Sequence, residues 1–371
     1  MKAIAITILM LVLCVGSANA QVFKAVGLVG ATPPPEPGPL SGAFTVATIP
    51  DTQNYTNSAP TNAYPGQQTQ WILDNRVARN IAFVTHLGDV VSLSTQWGVS
   101  SRGENISDAM ALLDGVIPYN VNQGNHDSDT SDAESDTPAY ICPCTNWLAL
   151  FDESRYTGIT GSGIGGQHSG RTSLWHTFTA SGITWLIFSL EFEHFYAPNG
   201  TYAWAQGVID ANPGLPVIVT THAYLQWGGR NTTWGTALWD GLIKLNPEIV
   251  MVINGHHVEP IAGVTSEFHQ VSLNNAGLPV VEILANYQQV ENSGVGWLQV
   301  IEFDMYANLV NVQTYTPVAD EFQLDGMSQF SIPLAMYPRL TECNNGIDDD
   351  LDGDTDINDT NCATLGGASE N

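Results

Sequence analysis

The chain has 371 residues, 43% hydrophobic and 9% aromatic, which is enough apolar surface for one large domain with appendages and excludes wholesale disorder. Thirty-seven acidic residues against 10 basic ones give a formal net charge of −27. So few cations exclude gripping a nucleic-acid duplex through its phosphates and disfavour an anionic membrane surface, so a small anionic substrate would need metal ions to supply positive charge.

Lys2, an apolar run over residues 4–15 and the small residues Ala18-Asn19-Ala20 predict a signal peptide over residues 1–20, cut before Gln21. The run is too short for a membrane span, and the residues around Cys14 make a poor lipoprotein signal. No later apolar stretch is long enough to cross a bilayer. The expected address is secreted, periplasmic or on the extracellular surface, where cell-surface association is one compatible outcome. Residues 21–42 carry a Pro-rich stretch, 31–39, that reads as a stiff linker.

From residue 43 the pattern alternates. Residues 44–49 read as a strand, 68–79 as a helix and 81–85 as a buried strand. Ile106, Met110 and Leu113 share a helical face that stops at Gly115, and 117–121 is again a strand. An acidic loop is expected over 129–136 and a glycine-rich loop over 158–170. Then come a strand at 184–190, a helix at 202–211 and a strand at 217–220. Thr233 caps a helix bearing Trp234, Leu238 and Leu242, followed by a strand at 249–253. Segments 280–284, 297–303 and 309–315 read as consecutive strands. Alternating strands and helices followed by a meander predict an α/β domain.

Polar residues with metal-binding atoms recur just past these strands. Asp51 and Gln53 follow the first, Asp89 the second, and Asn125, His126 and Asp127 the third; His222 and His256-His257 follow later ones. In an α/β sheet the C-terminal strand ends converge on one crevice where ligands bind. Asp, Gln, Asn and His together form a mixed N/O set suited to Zn, Mn or Fe. The glycines beside Asp89, Asn125 and His256 are expected to let the backbone turn sharply there.

Asp51-Thr52-Gln53, Gly88-Asp89, Gly124-Asn125-His126-Asp127, His222 and Gly255-His256 resemble, in order and spacing, the five motifs of the calcineurin-like metallophosphoesterases. Residues 151–156, Leu284-Ala285-Asn286-Tyr287-Gln288, Gly296-Trp297 and Thr314-Tyr315-Thr316-Pro317 resemble a secreted subgroup whose first motif carries Gln in place of His. The resemblance implies an α/β sandwich of two mixed β-sheets flanked by helices, with the active site at C-terminal strand ends, over residues 43–318. It implies two divalent transition metals bridged by Asp89. Asp51 and Gln53 would complete one site, and Asn125, His222 and His256 the other. Phosphate mono- or diesters would be hydrolysed by a metal-activated hydroxide, His126 acting as acid or charge stabiliser and Asp127 orienting it.

The sequence departs from that pattern at two places. The family's last motif is usually Gly-His-any-His, but Val258 stands where its final ligand belongs; His257 is the alternative if the loop re-registers. Gln53, whose amide oxygen donates more weakly than imidazole, bears on the same metal. These departures keep open a non-catalytic surface or binding protein that retains the fold.

Residues 319–340 read as a connector to a tail over 341–371. There Asp348, Asp350, Asp352, Asp354 and Asp359, with Gly353 at the sixth place, have the spacing of a calcium loop ending in Asp rather than Glu. Cys343 and Cys362 bracket it and are expected to pair in an oxidising compartment. Cys142-Pro143-Cys144 admits a redox pair, half a zinc site or a local disulfide, the last being the simplest since zinc would need a second pair. His86 reads as a packed strand-end residue, Arg155 as a structural pair with Tyr156 or a phosphate contact, and Trp204, Trp234 and Trp239 as core. His168, His176, His194 and His269 occupy no motif position.

Overall fold

The computed structural model describes residues 42–55, 61–97, 102–130, 142–157, 162–192, 200–258, 266–290, 294–305 and 307–334. The expected signal peptide, almost all of the Pro-rich linker, and the Asp-rich tail with Cys343 and Cys362 lie outside the described residues.

In chain order the elements begin with β1 (Ala43–Ile49), α1 (Tyr64–Asn75), β2 (Ile81–His86), α2 (Arg102–Ala111) and β3 (Tyr119–Val121). Next come α3 (Thr145–Phe151), α4 (Glu153–Tyr156), β4 (Ser162–Gln167), β5 (Leu174–Ala180), β6 (Ile183–Leu190), α5 (Thr201–Ala211) and β7 (Val217–Thr221). A small hairpin, β8 (Leu225–Gln226) and β9 (Gly229–Arg230), precedes α6 (Trp234–Gly241) and β10 (Ile249–Asn254). The last strands are β11 (Ser266–Leu273), β12 (Pro279–Asn286), β13 (Leu298–Asp304), β14 (Leu309–Thr316), β15 (Glu321–Gln323) and β16 (Gln329–Pro333).

Two seven-stranded mixed sheets result. One runs β15-β14-β13-β1-β2-β3, with β16 also on β14; the other runs β11-β12-β10-β7-β6-β5-β4. The β1, β2 and β3 strands are mutually parallel, as are β6, β7, β10 and β12, whereas the outer strands are antiparallel. Period-two alternation assigns each central strand two buried faces. Phe44, Val46, Phe83, Ile187, Ile218, Met251, Ile253 and Ile301 fill one cluster shared by both sheets. Their neighbours face the other way. Ala47 and Val84 pack with Ile72, Ile106, Met110 and Trp147 of the helices on the first sheet, and Leu186, Val219 and Val252 pack with Ala205, Ile209 and Leu238 on the second. The chain therefore has the expected sandwich of two mixed sheets flanked by helices.

Several boundaries move. Helix α1 starts at Tyr64 because Pro65 sits in its first turn, where a missing N–H and a fixed φ favour initiation. The glycine-rich segment expected as a loop contains β4, paired antiparallel with β5. The expected connector is also partly sheet: β15 and β16 both pair with β14, so the ordered unit continues past residue 318 to at least Leu334. Among the described residues no helix is long and apolar enough to cross a membrane.

Candidate metal centre

The C-terminal ends of the parallel strands from both sheets meet at one edge. Asp51 and Gln53 follow β1, Asp89 follows β2, Asn125 and His126 follow β3, His222 follows β7 and His256 follows β10. Cross-sheet bonds fix this meeting: His222 Nδ1 donates to the Leu87 carbonyl at 2.8 Å, and Thr220 Oγ1 donates to Asn122 Oδ1 at 3.2 Å. Glycine matters here mainly through space. A Cβ at Gly124 would lie 2.2 Å from Asp89 Oδ1, and one at Gly255 would lie 2.1 Å from Asp51 Oδ1. Only Gly88, with φ +100°, makes the sharp turn expected from the sequence. Asp89 (φ 51°) and His256 (φ 67°) take the left-handed region themselves, a backbone strain of roughly 1–3 kcal/mol each that such sites often carry.

Asp89, His222 and His256 each bring one ligand atom within 4.8 Å of the others. Asn125 Oδ1 lies 3.0 Å from His222 Nε2 and 2.9 Å from His256 Nδ1, and these two nitrogens are 3.1 Å apart. Asp89 Oδ1 lies 3.2 Å from His222 Nε2 and accepts the His126 amide at 3.0 Å. Metal–nitrogen bonds of about 2.0–2.1 Å give donor–donor edges of roughly 2.9 Å for an octahedron and 3.3 Å for a tetrahedron. The observed edges lie in that interval. Because a carbonyl only accepts, the His222 Nδ1–H is committed to Leu87 and Nε2 is the nitrogen turned to the cluster. These residues fit a divalent transition metal.

Charge points the same way. Burial pushes the Asp51 carboxyl up to about 7, against the pull of the His222 charge. Burial acts likewise on Asp89, but the charge and hydrogen bond of His222 outweigh it and hold that carboxyl at about 2. Burial alone would lower His222, yet Asp89 and Asp51 carry it up to about 10; burial and the His222 charge together push His256 down to about 3. Two buried carboxylates thus draw one proton onto an imidazole, the same demand for counter-charge that a cation would meet.

Asp51 is not in the Asp89–His222–His256 group. It accepts the His256 amide at 3.2–3.3 Å and the Asn286 side-chain amide at 2.9 Å. Gln53 is buried beside it and donates to Gln288 Oε1 at 2.5 Å. His257, offered as a substitute for the absent ligand, is not in the Asp89–His222–His256 group; its backbone N–H turns back to the Gly255 carbonyl at 2.8 Å.

His126 Nδ1 donates to the Ser92 carbonyl at 2.8 Å, which leaves Nε2 as its second ring nitrogen. Asp127, expected to orient this ring, does something else. Its two oxygens accept the backbone N–H groups of Gly124, Val90 and Val91 at 2.8, 2.8 and 3.3 Å, clamping the loop after β2 to the loop after β3. A fully buried carboxylate beside unpaired amides takes them in preference to a ring that already has a carbonyl. Downstream, Asp129 caps α3 by accepting from Thr145 at 2.7 Å, next to a Cys142–Cys144 disulfide, the simplest of the three readings of that pair.

Other expectations sort out by contact. His86 is buried at its strand end, accepting from Gly88 and bonding Thr52 Oγ1 at 2.9 Å, and burial pushes it down to about 3. Arg155 spends its nitrogens on Tyr119, Ser107 and Leu150, so it is structural. Trp234 is not simply core: its ring stands edge-on to His256 at 4.8 Å, and Phe192 packs against both. Asn231, not Thr233, caps α6 by accepting from Thr233 and Trp234. Asn286 and Gln288 were not read as site residues. Asn286 ends β12, a strand parallel to β10, and Gln288 lies just past it, so both obey the same rule of polar residues at strand ends that marks the others.

A model of the calcineurin-like phosphoesterase family matches residues 46–260. The chain is 28% identical over 312 residues to the uncharacterized protein YvnB of Bacillus subtilis (strain 168), covering 81% of this chain and 22% of that protein. It therefore spans about a fifth of that relative's length. Among solved structures it is similar to a dimetal phosphatase from Danio rerio, at 11% identity and TM-score 0.44 over 79% of this chain and 99% of that one. It is also similar to GAP50, the anchor in the inner membrane complex of Plasmodium, at 12% identity and TM-score 0.41 over 79% and 88% of the two chains. The family match runs from within β1 to just past His256 and so encloses every strand-end residue of the Asp89–His222–His256 group: the chain belongs to the calcineurin-like phosphoesterase family.

Proposed function

We propose that this protein is a metal-dependent phosphoesterase acting on small phosphate mono- or diesters. The observation that carries the reading is the convergence of Asp89, Asn125, His222 and His256 on one point, at edges suited to a transition metal. Two divalent metals (Zn, Mn or Fe), when bound, supply Lewis-acid charge to the phosphoryl oxygens and a nucleophile active near neutral pH. Asn125, His222 and His256 would hold one, Asp51 and Gln53 would contribute to the other, and Asp89 would serve both. His126, its Nδ1–H tied to Ser92, presents Nε2 to donate a proton or hydrogen bond to the ester. Asp127 keeps the Asp89 and Asn125 loops in register, and Phe192 and Trp234 hold the His256 ring.

We further propose export through the N-terminal signal and a calcium-binding tail over 341–371, closed by Cys343 and Cys362; calcium should then protect the tail from proteolysis, and reduction should weaken that protection. Turnover of chromogenic phosphomonoesters and diesters with added Mn or Zn tests the enzyme. Hydrolysis that a chelator abolishes and metal restores is expected. Tight metal binding without hydrolysis anywhere on the panel would favour the non-catalytic alternative that Val258 keeps open.

A further inference from the structure

The Asp51 side of the centre is completed by a segment distant in sequence. Asn286, the last residue of β12, donates its side-chain N–H to Asp51 Oδ2 at 2.9 Å and accepts the Gln288 backbone N–H on Oδ1 at 3.0 Å. That pair of bonds sets the turn after β12 so that the Gln288 side chain meets Gln53: Gln53 Nε2 donates to Gln288 Oε1 at 2.5 Å. Asn54 Nδ2 braces the same turn by donating to the Gln288 carbonyl at 3.2 Å. Two primary amides thus face each other, tied through Asn286 to the buried Asp51 carboxylate. Val258, two residues past His256, has no lone pair to offer there.

Resting on the metal-centre reading above, we propose that Gln288 supplies the ligand that Val258 withholds, so that the first metal site is an all-oxygen set of Asp51, Gln53, Asp89 and Gln288. The change required is small. A half-turn of the Gln53 terminal amide exchanges its NH₂ for its oxygen, so that two amide oxygens, free to accept a cation between them, replace the present Gln53–Gln288 hydrogen bond. Such a set selects a hard cation of the Mn²⁺ or Mg²⁺ type, whereas the imidazole side suits Zn²⁺ or Fe²⁺. The centre is therefore chemically asymmetric, and Gln288 sets the asymmetry.

Mn²⁺ titration of the chelated full chain, followed by calorimetry and electron paramagnetic resonance, tests this without reference to turnover. Wild type should bind two Mn²⁺. Gln288→Ala should weaken one site by at least about tenfold, the lower end of what losing even a supporting residue around a metal costs, and leave the other unchanged. His222→Ala should do the reverse. Gln288→Glu, which keeps the size and adds charge, should tighten the first site and decides the matter if the alanine variant fails to fold. Two wild-type-strength sites in Gln288→Ala, or no gain in Gln288→Glu, would overturn the proposal while leaving the metal centre standing. No Mn²⁺ on wild type would overturn the metal centre itself.

Discussion

The two sides of Asp89 are built from different chemistry. On one side, two imidazole nitrogens and an asparagine oxygen stand 2.9–3.1 Å apart, their rings fixed by Leu87, Phe192 and Trp234. On the other, Asp51 and Gln53 meet Asn286 and Gln288 through hydrogen bonds among oxygens and amides. The imidazole side comes from residues one to four places past the ends of β3, β7 and β10. The amide side needs a segment more than two hundred residues away in sequence to come back across the sheet edge. On the proposal above, one fold would present a preformed borderline site and a harder, more adjustable one on a shared carboxylate.

The largest effect should come from removing what the two sides share. Asp89→Asn offers a neutral amide where both sides need an anion, so metal content should fall toward zero and turnover to the buffer rate. A variant that kept two metals and wild-type turnover would end the idea of a shared carboxylate. Next is His126, which belongs to neither side: His126→Ala should keep both metals yet lower turnover by roughly 10²–10⁴, the range for losing a positioned proton donor. Loss of metal instead would place His126 among the ligands.

Val258→His sharpens the contrast by adding an imidazole to the amide side. Zinc binding there should tighten by about tenfold, or roughly 1.4 kcal/mol, measured by competition with a chromogenic chelator. No change would mean that the side chain at 258 faces away from the centre. A last effect, on stability rather than on metal or turnover, lies outside both sides. His176 is buried against Tyr156 and Phe83, and burial pushes it down to about 3 from 6.5. Its folded value is depressed, so the unfolded chain binds the proton first, and stability present above pH 6.5 is lost as pH falls toward 3. The loss should be about 2 kcal/mol at pH 5. His176→Phe should flatten the denaturation midpoint over that range, and an unchanged acid slope would refute this.

The same contrast explains what was legible beforehand. The central strands announced themselves as apolar runs, because parallel strands covered on both faces need little polarity, and their ends announced the candidate ligands. Several outer strands did not: β4 is half glycine, β11 is largely polar on its open face, and β15 and β16 are short. Asp127 was visible as a residue but not in its role, since proximity in sequence suggested the His126 ring while unpaired backbone amides across the loop took the carboxylate. Gln288 stood past a strand end like the others, but its partner was not legible, because pairing it with Gln53 depends on how the β12 end meets the β1 end.

The most direct test of the whole account is a titration in which metal content and hydrolysis of a chromogenic phosphoester are read on the same sample as Mn²⁺ is returned to the chelated full chain. The account predicts little turnover up to one equivalent and a rise to a plateau as the second site fills, with Asp89→Asn flat throughout. Turnover independent of bound metal, or two metals bound with no hydrolysis of any ester tried, would contradict it.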